Sequence, residues 1–94
     1  MTTTPTRLGP YRVLGRVGRG GMAEVLLAEV FGASGFSQKV ALKVLLPELR
    51  GVAALEKLLI EEARLGASLS HGNLVGVHDL GVDGGIYYVR MELV

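Results

Sequence analysis

Three glycines stand within residues 18–21, Gly18-Arg19-Gly20-Gly21, between an apolar run at 11–17 and a second at 25–30. Glycine loses more backbone freedom on ordering than any other residue, so neither a helix nor an uninterrupted strand runs comfortably through such a segment. The chain must turn there. The flanking runs are rich in strand formers, and the spacing predicts a hairpin: a strand over 11–17, a turn over 18–23 and a strand over 25–30.

The next 64 residues alternate between two periods. Residues 31–37 hold two glycines and small side chains and read as a loop. A third strand over 39–46 places Val40, Leu42, Val44 and Leu46 on one face and Ala41, Lys43 and Leu45 on the other, and Pro47 ends it. Over 52–69 the period becomes helical, with Leu55, Leu58, Leu59, Leu65 and Leu69 on one stripe. Ser70-His71-Gly72-Asn73 breaks that helix. Apolar runs at 74–82 and 86–94 then flank Asp83-Gly84-Gly85, a tight-turn signature, and predict a second hairpin. The expected fold is α+β, a five-stranded antiparallel sheet with one major helix. Residues 1–9, rich in Thr and Pro, read as a flexible leader, and 10–94 as the folded unit.

Composition removes several classes of function. Ninety-four residues make one small domain with one modest core. A net charge of +1 gives no electrostatic case for a nucleic-acid partner. The absence of cysteine excludes disulfides and thiolate metal sites and fits a cytoplasmic setting. His71 and His78 have no companions at metal-ligand spacing, so no metal ligand is assigned. No apolar run approaches the roughly 20 residues that span a bilayer, and the first residues lack the apolar stretch of a secretory signal, so this segment is expected to have no membrane partner. Hydrophobic residues nevertheless make up 49% of the chain, which suggests a face that packs against something outside it. Arg7, Arg12, Arg16 and Arg19 cluster early and read as a solvated face.

The residues able to carry chemistry are few. A glycine-dense turn lets backbone N–H groups close over phosphates without Cβ interference, and Lys43 on the next-but-one strand supplies a point charge for them. Glu62 has Leu58, Leu59, Leu65, Gly66 and Leu69 as helical neighbours, which plants a carboxylate in the apolar stripe. Burial there is costly without a cation, and Lys43 is the natural partner. The plainer reading leaves Glu62 solvated at the edge of the stripe, with Lys43 snorkelling. Adjacent Glu61 lies near Lys57 and Arg64 on the polar face. Gly18-x-Gly20-x-x-Ala23 also satisfies a loose dinucleotide fingerprint, but residues 25–30 read as strand rather than helix, and no acidic residue occurs between Glu29 and Glu48. No glycine precedes Lys-Ser or Lys-Thr, so a Walker A loop is absent. A purely structural hairpin turn with surplus glycine is the remaining alternative. Tyr87 and Tyr88 read as core and edge packing.

In this order, "LGRVGRGGMAEVLLAEV", "VALKVLLPEL", "EEARLGASLSHGNLVGVHDLG" and "YYVRMELV" resemble the N-terminal lobe of a bacterial serine/threonine protein kinase of the eukaryotic type. The resemblance runs from about Tyr11 to Val94. It implies that Val17, Gly18, Arg19, Gly20, Gly21, Met22 and Ala23 form the loop over the ATP phosphates, and that Val25 and Ala41 contact the adenine ring. It further implies that Lys43 holds the α- and β-phosphates with Glu62 fixing its position. Met91 matches the gatekeeper, and Glu92-Leu93-Val94 the hinge that pairs with the adenine edge.

The chain departs from the family pattern in four places. Ala23 replaces the loop's third glycine, and Gly72 replaces the proline of the His-Pro-Asn string. Gly66 lies inside the helix, at a cost of about 1 kcal/mol against alanine. No His-Arg-Asp…Asn or Asp-Phe-Gly string is present, so no catalytic residue is assigned and the chain alone is expected to be inactive. The expectation is therefore an ATP-binding lobe cut at the hinge. Mg2+ and a protein substrate would belong to the complete kinase, and a C-lobe or a partner kinase would supply the missing contacts. The rival expectation is a non-enzymatic kinase-like module that binds and regulates a partner kinase.

Overall fold

The computed structural model describes residues 5–69 and 77–91. Its strands are β1 (Arg7–Leu8), β2 (Tyr11–Arg19), β3 (Ala23–Phe31), β4 (Ser37–Leu45), β5 (Val77–Asp83) and β6 (Ile86–Met91), with one α-helix, α1 (Ala53–Leu69), between β4 and β5. They form a single sheet in the order β1-β2-β3-β4-β6-β5, antiparallel at every junction. The fold is the α+β arrangement expected from the sequence, an antiparallel sheet with one major helix, with a sixth strand added at one edge.

That added strand takes Arg7 and Leu8 out of the segment expected to be a leader. Arg7 pairs with Arg12 and Leu8 with Tyr11, and Leu8 is buried in the core. Thr and Pro dominate the segment's composition, which hides the one large apolar residue that anchors it. The hairpin at 83–86 forms as the Asp-Gly-Gly signature requires. Asp83 pairs with Ile86, and Gly84 and Gly85 take φ of 58° and 81°, the left-handed pair that a two-residue turn matched to strand twist demands. The loop at 31–37 contains a short 3-10 turn over Ala33–Gly35, and Pro47 opens a second over Pro47–Leu49.

Strand alternation divides the sheet into two faces. On one, Leu8, Tyr11, Leu26, Ala28, Val40, Leu42, Val44 and Tyr88 form a continuous buried cluster. On the other, Leu45 and Val89 meet Leu59 and Ala63 of α1 in a smaller one, with Met22, Leu55, Tyr87 and Met91 packed at its margin. The β4 residues divide as their alternation predicts, Val40, Leu42 and Val44 to one face and Leu45 to the other.

The helix departs from its expected stripe. Leu59 and Ala63 are buried, whereas Leu58 and Leu65 are exposed. Among the described side chains α1 meets the sheet along one line, Leu55, Leu59 and Ala63 at i, i+4, i+8, with Leu59 and Ala63 buried and Leu55 at the margin. Leu58 and Glu62 fall on the neighbouring line, turned toward the side of the sheet. Gly72 and the other residues of 70–76 lie outside the described residues.

Candidate functional site

The turn joining β2 to β3 is closed by a hydrogen bond from the Gly20 amide to the Ala23 carbonyl at 2.8 Å. Gly18, Gly20 and Gly21 all have negative φ, so the turn itself does not require glycine at these positions. A Cβ built on Gly21 meets nothing within 4 Å, one on Gly20 approaches only the Ala23 carbonyl at 3.6 Å, and one on Gly18 meets Val25 at 3.9 Å. The fold would accept side chains at Gly18, Gly20 and Gly21. Their absence leaves an open cradle of bare backbone, which fits close approach by a ligand better than a demand of the hairpin.

The cradle roofs a cleft of about 410 Å³ lined by Arg19, Gly20, Gly21, Met22, Ala23, Val25 and Lys43. That volume lies within the range of about 300–1,000 Å³ common to small-ligand clefts. Register explains the assembly. Val25 is directly opposite Lys43 across the β3–β4 ladder, Leu27 is opposite Ala41, and Ala41 in turn is opposite Met91. All five residues therefore share the face of the sheet on which α1 packs.

Lys43 forms a salt bridge with Glu62 of α1. The pairing expected from the sequence is present, but the burial is not: the Glu62 side chain is 55% exposed and that of Lys43 25%. Such a pair contributes about 0–1 kcal/mol to stability, so its geometry is better explained by what the ammonium faces than by what it stabilises. Three of the early arginines also have carboxylate partners, two on the neighbouring strand and one in the 3-10 turn after β4. Arg12 lies 3.8 Å from Glu29, Arg16 lies 3.5 Å from Glu24, and Arg19 donates to Glu48 at 3.2 Å.

Of the residues predicted for the site, Arg19, Gly20, Gly21, Met22, Ala23, Val25 and Lys43 line one cleft, and Glu62 joins them through Lys43. Ala41 and Met91 continue the same face. Val17 and Gly18 flank the cleft without lining it, and Val17 is exposed. Glu92, Leu93 and Val94 lie outside the described residues, as does His71. Among the described residues no group of three His, Cys, Asp or Glu side chains could hold a metal ion.

The sequence motifs single out no role for Glu24. It is 1% exposed, and its alternation with Leu26 and Ala28 puts it on the core face. A carboxylate at a period-2 core position needs a cation, and that signal is present in the sequence.

No protein-family profile matches the chain. It is 42% identical over 84 residues to the tyrosine-protein kinase MasK of Myxococcus xanthus and 37% identical over 86 residues to the serine/threonine-protein kinase PrkC of Bacillus subtilis. These alignments cover 89% and 92% of the chain but 13% of each relative. Among solved structures, the kinase domain of Mycobacterium tuberculosis PknI superposes with a TM-score of 0.68 at 28% identity, covering all of this chain and 37% of that one. In sequence and fold the chain matches the N-lobe of bacterial protein kinases.

The chain presents the glycine-rich turn, the β4 lysine and the helix glutamate on one side of its sheet. No helix among the described residues is long and apolar enough to cross a membrane.

Proposed function

We propose that this lobe binds the phosphates and adenine of ATP and serves a kinase that transfers the γ-phosphate to a serine or threonine hydroxyl of a protein substrate. The observation that carries the reading is the Lys43–Glu62 pair at the edge of a cleft roofed by glycines that the fold itself does not need. Glu62 holds the ammonium by its charge, and the bare backbone at Gly20 and Gly21 admits phosphate oxygens to the turn. Val25 and Ala41 offer a flat apolar surface to the base, with Met91 behind them. Mg2+ would be held in the complete kinase by the catalytic-loop Asn and the Asp of Asp-Phe-Gly, strings this sequence does not contain. The Ser/Thr assignment follows the names of PrkC and of the PknD kinases, whereas MasK is named for tyrosine. A cytoplasmic setting follows from the use of ATP.

The rival reading, a module that docks on a partner kinase without nucleotide, gains from the exposure of Leu58 on α1 but leaves the open glycine cradle unexplained. Equilibrium titration with a fluorescent ATP analogue separates the two. Lys43→Met should weaken binding at least about tenfold, as loss of a charge-assisted phosphate contact implies. Unchanged affinity would remove Lys43 from the site, and no binding by the unmodified chain would favour the docking module.

A further inference from the structure

Glu24 immediately follows the glycine-rich turn, yet its side chain points away from the cleft that Ala23 and Val25 line. Two cations reach it from different parts of the chain. Arg16 of β2 lies 3.5 Å from Oε2, and Arg50, from the segment that leads into α1, lies 3.7 Å from Oε1. Neither contact is a close hydrogen bond. Oε1 of Glu24 and both Nε and Nη2 of Arg50 are buried without a hydrogen-bond partner, so the attraction is Coulombic and acts where water is excluded.

Two further contacts join the same pair of segments. The Leu46 amide donates to the Met22 carbonyl at 2.9 Å, and Arg19 donates to Glu48 at 3.2 Å. The turn at 19–24 is thus tied three times to residues 46–50, and three residues beyond Arg50 the helix that carries Glu62 begins. Only the Glu24–Arg50 link places a buried charge on each side.

We infer that Glu24 is a positioning residue that, through Arg50, sets the glycine-rich turn against α1 and so aligns the turn with the Lys43–Glu62 pair. The inference rests on the nucleotide-binding reading for its purpose, though the coupling itself can be measured without nucleotide. Replacing Glu24 by its neutral isostere leaves Arg50 without its counter-charge, and segment 46–50 loses one of its three ties to the turn.

The test is amide hydrogen exchange of the chain carrying Glu24→Gln, with Arg50→Gln as a second variant that removes the same link should the first fail to fold. Both should speed exchange about tenfold at the Leu46 amide and over the start of α1, while amides of β3 and β4 at residues 26–29 and 39–42 stay protected. Arg16→Gln, which removes a cation that does not reach residues 46–50, should leave the helix start unchanged. Uniform acceleration across all strands, or the same response in Arg16→Gln as in Arg50→Gln, would make Glu24 a general stability element and overturn the inference. Acceleration at Leu46 with α1 unchanged would also overturn it. Titration with the ATP analogue is read separately. Absence of binding by the unmodified chain defeats the nucleotide reading alone, whereas full affinity in Glu24→Gln defeats the positioning role.

Discussion

The two faces of the sheet are built to different ends. One carries eight buried side chains in an unbroken cluster, including Tyr11 and Tyr88 packed edge to face at 5.7 Å, with the Arg90 guanidinium over the Tyr11 ring. The other gathers only four buried residues, two from the sheet and two from α1, and gives the remaining area to an open cleft with an exposed ion pair at its edge. Apolar burial is the main favourable contribution to folding, so the first face holds the lobe together. The second is left free to hold a ligand.

The largest expected effect contrasts these faces directly. Leu42 is fully buried at the centre of the larger cluster, and Leu42→Ala should destabilise the chain by about 2–5 kcal/mol through lost transfer energy and an unfilled cavity. Leu58, at 50% exposure on α1, should cost under about 1 kcal/mol when replaced by alanine. Urea unfolding followed by circular dichroism reads both. Equal losses would break the comparison, because α1 would then contribute as much as the sealed face.

A smaller effect should sharpen it. A Cβ on Gly81 would stand 2.3 Å from both Cζ and Oη of Tyr88, whose ring is held by Tyr11 and cannot swing away freely. Gly81→Ala should therefore cost about 1–3 kcal/mol by overpacking. Because Gly81 and Tyr88 belong to the sealed face, the folded variant should keep its affinity for the ATP analogue. A parallel loss of affinity would show that strain on one face reaches the cleft on the other.

Most of this organisation is legible in the sequence because each element announces its own period. The alternation at 39–46 divides β4 correctly between the two faces, and Asp83-Gly84-Gly85 fixes the second hairpin by the φ values it requires. The pairing of Lys43 with Glu62 follows from there being one inward cation and one carboxylate in an apolar stripe. The features that escape depend on tertiary geometry. Leu8 is anchored by an edge pairing that a lone apolar residue in a Thr/Pro-rich segment does not advertise. The exposure of Leu58, Leu65 and Glu62 follows from which line of α1 meets the sheet, and helical periodicity alone does not encode that. Glu24 escapes for a different reason: it sits inside a motif whose glycines draw the assignment, though strand alternation already places it among core residues.

The smallest expected effect probes the same seal by titration. Burial pushes the Tyr88 hydroxyl above its ordinary value of 10.0, and the charges of Asp79, Tyr11 and Asp83 add to the shift in the same direction. Tyrosine is neutral when protonated, so a raised value in the folded state means that folding favours the protonated hydroxyl. The corresponding stability is fully present below pH 10 and is lost as pH rises from there through the folded-state value. Urea midpoints measured from about pH 9 to about pH 11.5, a window that brackets the ordinary tyrosine value, should therefore fall more steeply for the unmodified chain than for Tyr88→Phe, which has no proton to lose at that position. Parallel slopes would mean that the hydroxyl meets water in the folded state, and the face built around it would then be no better sealed than the cleft.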